Sequence, residues 1–343
     1  MSVPLLSVIG PVEPALLEAF VAHYRKLGVK KFLLAFHFPE DVPANDRLLD
    51  TAKELGVESK RVSFGPSHEE VNPKLYARLR EEAGKGWHMI ADSDEFHVYP
   101  EPVSKLIAQA EEEGTPVVEG LLFDRFAQGD FPSLFVAQKL DSDYPLGGFL
   151  THYVLGGEPT KVVLAQSGYE LAPGNHEIKG HHGANLPLIP VHHFKWRHDV
   201  VSRMQDRVGC ILSGYWHMND DWVLNETLRA LHHISSHGNR IGLVEGQELV
   251  LPKAGVVPCV PVSLDCALPP GWETASLAVA QTWWDWPSGA VASSALIPTL
   301  AQLPSLDDFG LWKKPGGTAP SALSIPPGWQ PRSSHRQLRP HRR

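Results

Sequence analysis

The chain has 343 residues, of which 43% are hydrophobic and 20% charged, and its formal net charge is −8. This is the composition of a globular protein able to bury a sizeable core, as one large domain or a domain plus an appendage, and the acidic balance argues against nucleic acid as the main partner. Cys210, Cys259 and Cys266 form no CxxC pair, which argues against a disulfide framework and against a thiolate zinc site.

The opening "MSVPLLSVIGPVEPALLEAF" lacks a basic leader and meets Pro11 and Glu13 early, so it reads as a first strand (residues 3–9) and a helix rather than a signal peptide. That helix runs from Pro14 to a glycine stop at Gly28, with leucines and aromatics at helical spacing. "KKFLLAFHF" predicts a second strand, "ANDRLLDTAKELG" a second helix ending on Gly56, and "VESKRVSF" a third strand. "EEVNPKLYARLREEAG" predicts a helix begun or interrupted at Pro73, leading into an apolar strand from Trp87 to Ala91. The βαβαβαβ order predicts an α/β protein with a parallel sheet and helices on both faces. No apolar run reaches the roughly 18 residues of a membrane span, and the expected location is the cytoplasm.

The Trp87 strand runs directly into Asp92, Ser93, Asp94 and Glu95 and returns at once to Phe96. In open α/β sheets ligands bind beyond the carboxyl ends of the strands, so this acidic turn points toward the expected site. Neighbouring carboxylates resist desolvation unless a cation or a basic group sits between them. Mg²⁺ or Mn²⁺, shared with a ligand's diphosphate, would relieve the repulsion. Two other readings stand beside this one. The turn could merely cap the helix expected to follow at Pro102. Asp-x-Asp could also be the nucleophile motif of haloacid-dehalogenase phosphatases, but here Phe96 replaces the Thr or Val of that motif and three βα units precede it.

"PALLEAFVAHYRKLGVKKFLLA", "WHMIADSDEF", "EGLLFDRFAQGDFP", "KVVL" and "VHHFKW", in that order, resemble the family-2-like glycosyltransferases of the GT-A fold, over roughly residues 5–210. The resemblance implies a GT-A-like, Rossmann-type, mostly parallel sheet with a mixed second half. It also implies transfer of a sugar from a nucleotide-diphosphate sugar, held through Mn²⁺ or Mg²⁺, to a sugar, natural-product or polysaccharide acceptor. Asp92 is expected near the ribose and metal, Asp94 as a direct metal ligand, and Glu95 and Phe96 as walls of the donor pocket. Relatives carry an Asn-Glu pair after the first strand and an Asp-Asn-x-Ser turn after the second; here those places read "GPVEP" and "AFHFPED". Glu13 stands in for the first acidic residue, and a uridine donor is the default. Domains are expected at 1–250 for the transferase, 251–318 for a Pro/Trp-rich extension packed on it, and 319–343 for a disordered basic tail.

In the second half, "TPVVEGLLFDRF" predicts a strand ending in the pair Asp124–Arg125, either a surface ion pair or a contact to the diphosphate or the acceptor, with Arg125 the candidate. "LPLIPV" predicts the last strand of the sheet. Alternation turns His192 and Phe194 to one side and His193 to the other, and some GT-A enzymes use a histidine here as a third metal ligand, so His193 joins Asp92 and Asp94. Lys195 and Arg197 offer positive charge to the diphosphate or form a solvated basic face. His181 and His182 read as a loop, and His233 and His237 as one face of a helix without a third zinc ligand. For the base that takes the acceptor's proton, Glu177, Asp199, Asp220 and Asp221 are the candidates by order, and Glu177 lies in the segment that resembles the family's acceptor region. A metal-dependent phosphohydrolase and a non-catalytic carbohydrate-binding protein are the rival functions.

Overall fold

The computed structural model describes residues 3–261 apart from 58–60, 68, 128–138, 145, 149, 156, 159, 179, 182, 184–188, 219–220, 239, 241–248, 252–254 and 258–259. The first half follows the expected order: β1 (Leu5–Ile9), α1 (Pro14–Lys26), β2 (Phe32–Phe38), α2 (Pro43–Glu54), β3 (Arg61–Phe64), α3 (Val71–Ala83) and β4 (Trp87–Ile90). Helices α1 and α2 both begin on proline, whose missing N–H is harmless in a first turn. For the same reason α3 starts two residues before Pro73 instead of being interrupted by it.

Strands β1, β2, β3 and β4 pair in parallel in the order β3-β2-β1-β4. Their alternate side chains feed two apolar layers. Leu5 and Ile9 join α1 and α2 residues such as Phe20 and Leu48, whereas Leu6 and Val8 join Leu75 and Leu79 of α3 on the opposite face. Helices therefore cover both sides of the sheet, as the sequence predicts.

Beyond β4 the sheet becomes mixed. The elements are β5 (Glu95–His97), α4 (Val103–Glu112), β6 (Val117–Phe126), α5 (Leu140–Asp143), β7 (Leu146–Gly148), α6 (Leu150–Leu155), β8 (Thr160–Gln166), β9 (Pro190–His193), α7 (Val200–Leu212), α8 (Trp222–Ser236), β10 (Leu249–Leu251), β11 (Gly255–Val257) and β12 (Val260–Pro261). β8 lies antiparallel between β4 and β6, and β7 extends the sheet beyond β6. This is the expected α/β architecture, a parallel first half joined to a mixed second half.

β9 differs from its expected form. It contains His192 and His193 themselves, and it is not the last strand, because it runs parallel to β6 while pairing antiparallel with the short β5, and β12 pairs later with β7. Backbone approach here is close. A Cβ on Gly120 of β6 would lie 2.7 Å from Val191 and 2.8 Å from the Ile189 carbonyl, so only glycine lets β9 seat. Helices α7 and α8 close over this half through a cluster that includes Phe126, Leu155, Trp196, Met204 and Ile234. Among the described residues no helix is long and apolar enough to cross a membrane. Residues 262–343, with the Trp283, Trp284 and Trp286 cluster, the basic tail and Cys266, lie outside the described residues, as do Cys259, His182 and Asp220.

Candidate active site

The acidic turn sits where β4 ends, at the carboxyl edge of the parallel half. The β5–β9 pairing then brings the two most specific sequence segments together, with Glu95 opposite His193 in register and the Phe194 amide donating to the Asp94 carbonyl at 2.8 Å.

The side chains of the turn point in different directions. Asp92 is one-third exposed, and both its oxygens are met by the protein. Lys161 of β8 donates to Oδ2 at 2.9 Å and Asn175 Nδ2 donates to Oδ1 at 3.1 Å. The Tyr76 hydroxyl lies 3.1 Å from Oδ1 and 3.2 Å from the Ala91 carbonyl. Glu95 turns inward. It is buried, pairs with Lys161 at 2.8 Å and accepts the Asp92 amide at 3.1 Å. Burial, with Asp92 adding to it against the pull of Lys161, pushes the Glu95 carboxyl up to about 7. The expectation that Glu95 and Phe96 wall a donor pocket is corrected: Glu95 closes the turn on itself, and Phe96 is buried against Phe20, His23 and Phe194. A three-residue strand between two layers has room for its side chains only in the core.

Asp94 occupies the other side. Burial opposes its ionisation, yet the charges of His193, Arg197 and Arg203 outweigh that and hold its carboxyl well below the usual range. Arg197 Nη1 donates to Asp94 Oδ2 at 3.2 Å, and Nε lies 3.4 Å from Glu13 and 3.9 Å from Asp199. Glu13, at the end of the β1–α1 loop, His198 and Asp199 bring one ligand atom each to within 4.8 Å of one another. Among the described residues, Glu13 Oε1 and Oε2, Asp199 Oδ1 and His198 Nδ1 are shielded from solvent with charged neighbours but no hydrogen bond. His193 is oriented by a carboxylate: its Nδ1 lies 2.9 Å from Asp124 Oδ1, and the Thr151 hydroxyl donates to the same oxygen at 2.7 Å. Shielded carboxylate oxygens and an imidazole, ion-paired but without hydrogen bonds, are donors of the kind a divalent ion takes.

The three cations expected to meet a diphosphate are otherwise engaged. Arg125 is fully buried, donates from Nε at 3.0 Å to the Tyr144 carbonyl and lies over the Phe194 ring, so a ligand does not reach it. Lys195 is ion-paired with Glu226 of α8. Arg197 lies inside the site, but its guanidinium is held by carboxylates and by the Phe194 carbonyl. These corrections share one cause, since a cation in a covered layer is stable only with partners supplied from neighbouring elements. Glu177 is exposed, two residues beyond Asn175, and Asp221 is exposed at the start of α8.

Three participants were missed in the sequence: Lys161, Asn175 and Tyr76. Lys161 had a signal, as a lysine at the head of the apolar run "KVVL" needs a carboxylate partner once its strand is buried. Asn175 had a weaker one, the Pro-Gly-Asn turn.

No family model and no curated protein matches the chain. Among solved structures, TarS of S. aureus is similar at 11% identity over 68% of this chain and 44% of that one, with a TM-score of 0.31. TarS 1–349 is similar at 10% identity over 67% of this chain and 72% of that one, TM-score 0.27. A UDP-glucose pyrophosphorylase complexed with UDP-glucose is similar at 8% identity over 83% and 99%, TM-score 0.25. Likenesses this distant assign no activity, and this chain spans less than half the length of the first TarS chain.

Proposed function

We propose that the protein is a metal-dependent glycosyltransferase that moves a sugar from a nucleotide-diphosphate sugar, UDP-linked by default, to an acceptor with inversion. One arrangement supports this reading above all: the Asp124–His193 pair set beside Asp94 at the carboxyl end of β4. A histidine whose far nitrogen is held by a carboxylate is a common form of metal ligand. Asp94 and His193 would hold the ion, whereas Asp92, expected as a further ligand but with both oxygens already met by Lys161 and Asn175, would accept a hydrogen bond from the donor's ribose. A bound Mn²⁺ or Mg²⁺ would neutralise charge on the departing diphosphate.

In the transfer itself the acceptor oxygen bonds to the anomeric carbon as the bond from that carbon to the diphosphate oxygen breaks. The electron pair leaves with the diphosphate, and the acceptor's proton goes to a carboxylate. Glu177, exposed and close in sequence to the Asn175 that touches Asp92, is our assignment for that base.

Thermal unfolding with MnCl₂ and UDP tests the reading. Selective binding to the folded state raises the melting temperature, by about 2.7 kcal/mol of stabilisation at a hundredfold excess over Kd. No shift with any nucleoside diphosphate and metal tried would overturn it. Consumption of a sugar nucleotide without an acceptor would favour a phosphohydrolase, and full function in Asp92→Asn and Asp94→Asn variants a carbohydrate-binding role.

A further inference from the structure

We propose that Lys161, together with the Gly174–Asn175 turn, is a positioning element that fixes the Asp92 carboxylate from behind. The consequence for ligand binding rests on the nucleotide-sugar reading above. Lysine has three ammonium hydrogens, and Lys161 has three oxygens within reach: Asp92 Oδ2 at 2.9 Å, Glu95 Oε1 at 2.8 Å and the Gly174 carbonyl at 2.6 Å. Its side chain is only 5% exposed, so it has neither a spare donor nor a path to a ligand and acts through Asp92.

The turn that meets it is strained. Gly174 and Asn175 are successive left-handed residues, at φ 77° and 57°, and a Cβ on Gly174 would lie 2.6 Å from the His176 ring. Left-handed backbone at a non-glycine residue persists only where its surroundings require it. Here that conformation delivers the Gly174 carbonyl to Lys161 and the Asn175 amide to Asp92 Oδ1. Asp92 is thereby held at both oxygens in one orientation, and Asp94 is left as the aspartate that faces the cation seat.

The test uses the full chain with Asn175→Ala, Lys161→Met and the double variant Glu95→Gln/Lys161→Met, which avoids leaving the buried Glu95 carboxylate without its counter-charge. Three quantities are read: melting temperature, hydrogen exchange of residues 91–97, and calorimetric affinity for Mn²⁺–UDP and for Mn²⁺–pyrophosphate, which has no ribose. Positioning predicts that the double variant and Asn175→Ala melt near wild type, lose amide protection in 91–97 and bind Mn²⁺–UDP at least tenfold more weakly. Their pyrophosphate affinity should be unchanged. A merely structural lysine predicts that once the melting temperature is restored, exchange and UDP affinity are restored too, and that result would overturn the proposal. If wild type binds no nucleotide, the functional reading falls separately, and the exchange data still decide whether Lys161 and Asn175 hold the turn.

Discussion

The two aspartates of the turn are two residues apart, yet they have been made tolerable in opposite ways. On the Asp92 side the compensation is internal and complete, with a buried lysine, an asparagine and a tyrosine meeting its oxygens. On the Asp94 side it comes from cations shared with other acids. Arg197 is shared among Asp94, Glu13 and Asp199, and several buried oxygens have no hydrogen bond. The difference separates a carboxylate with its own counter-charge from one that shares an arginine with two other acids. An acidic cluster is thus informative only once each member's counter-charge is known.

The sharpest way to break the contrast is Asp94→Ala, which should abolish the Mn²⁺-dependent rise in melting temperature altogether. Next comes Asp124→Asn. It leaves His193 without its carboxylate and should weaken Mn²⁺ binding by 10–100-fold, read by calorimetry, while leaving the Asp92 side untouched. Glu226→Gln probes the neighbouring Lys195 ion pair. Burial raises the Glu226 carboxyl, but Lys195, then Arg207, lower it to about 2. Because its folded value lies below the unfolded one, the stabilisation is present above about pH 4.5 and is lost as pH falls toward 2. Wild type should lose roughly 3 kcal/mol more than the variant between pH 6 and pH 2 in urea unfolding, with Asp94 ligand binding at neutral pH unaffected. The smallest effect is expected for Tyr76→Phe. Asn175 and Lys161 still hold Asp92, so the cost should be about 1 kcal/mol of stability, with at most a few-fold loss of Mn²⁺–UDP affinity.

Much of the first half was legible because its signals are local. Helical periodicity, Pro14 and Pro43 at helix starts, and apolar runs of strand length determine α1, α2 and β1–β4 within a few residues, and β4 emptying into Asp92 follows from them. The second half depends on partners distant in sequence. Nothing near "DSDEF" says that Glu95 turns inward to Lys161, 66 residues on, or that β5 exists only because β9 pairs with it. Arg125 was misread for the same reason, since the Tyr144 carbonyl that holds it lies on a separate element.

The sequence alone determined the succession of strands and helices in the first half and the position of an acidic turn at a sheet's carboxyl edge, because both follow from short-range periodicity and from the direction of parallel strands. Tertiary structure alone decided which of those acids is met by a buried lysine and which shares an arginine with Glu13 and Asp199. Counter-charges are chosen by proximity in space, and a buried lysine or arginine finds its partners across strands that the chain order keeps far apart.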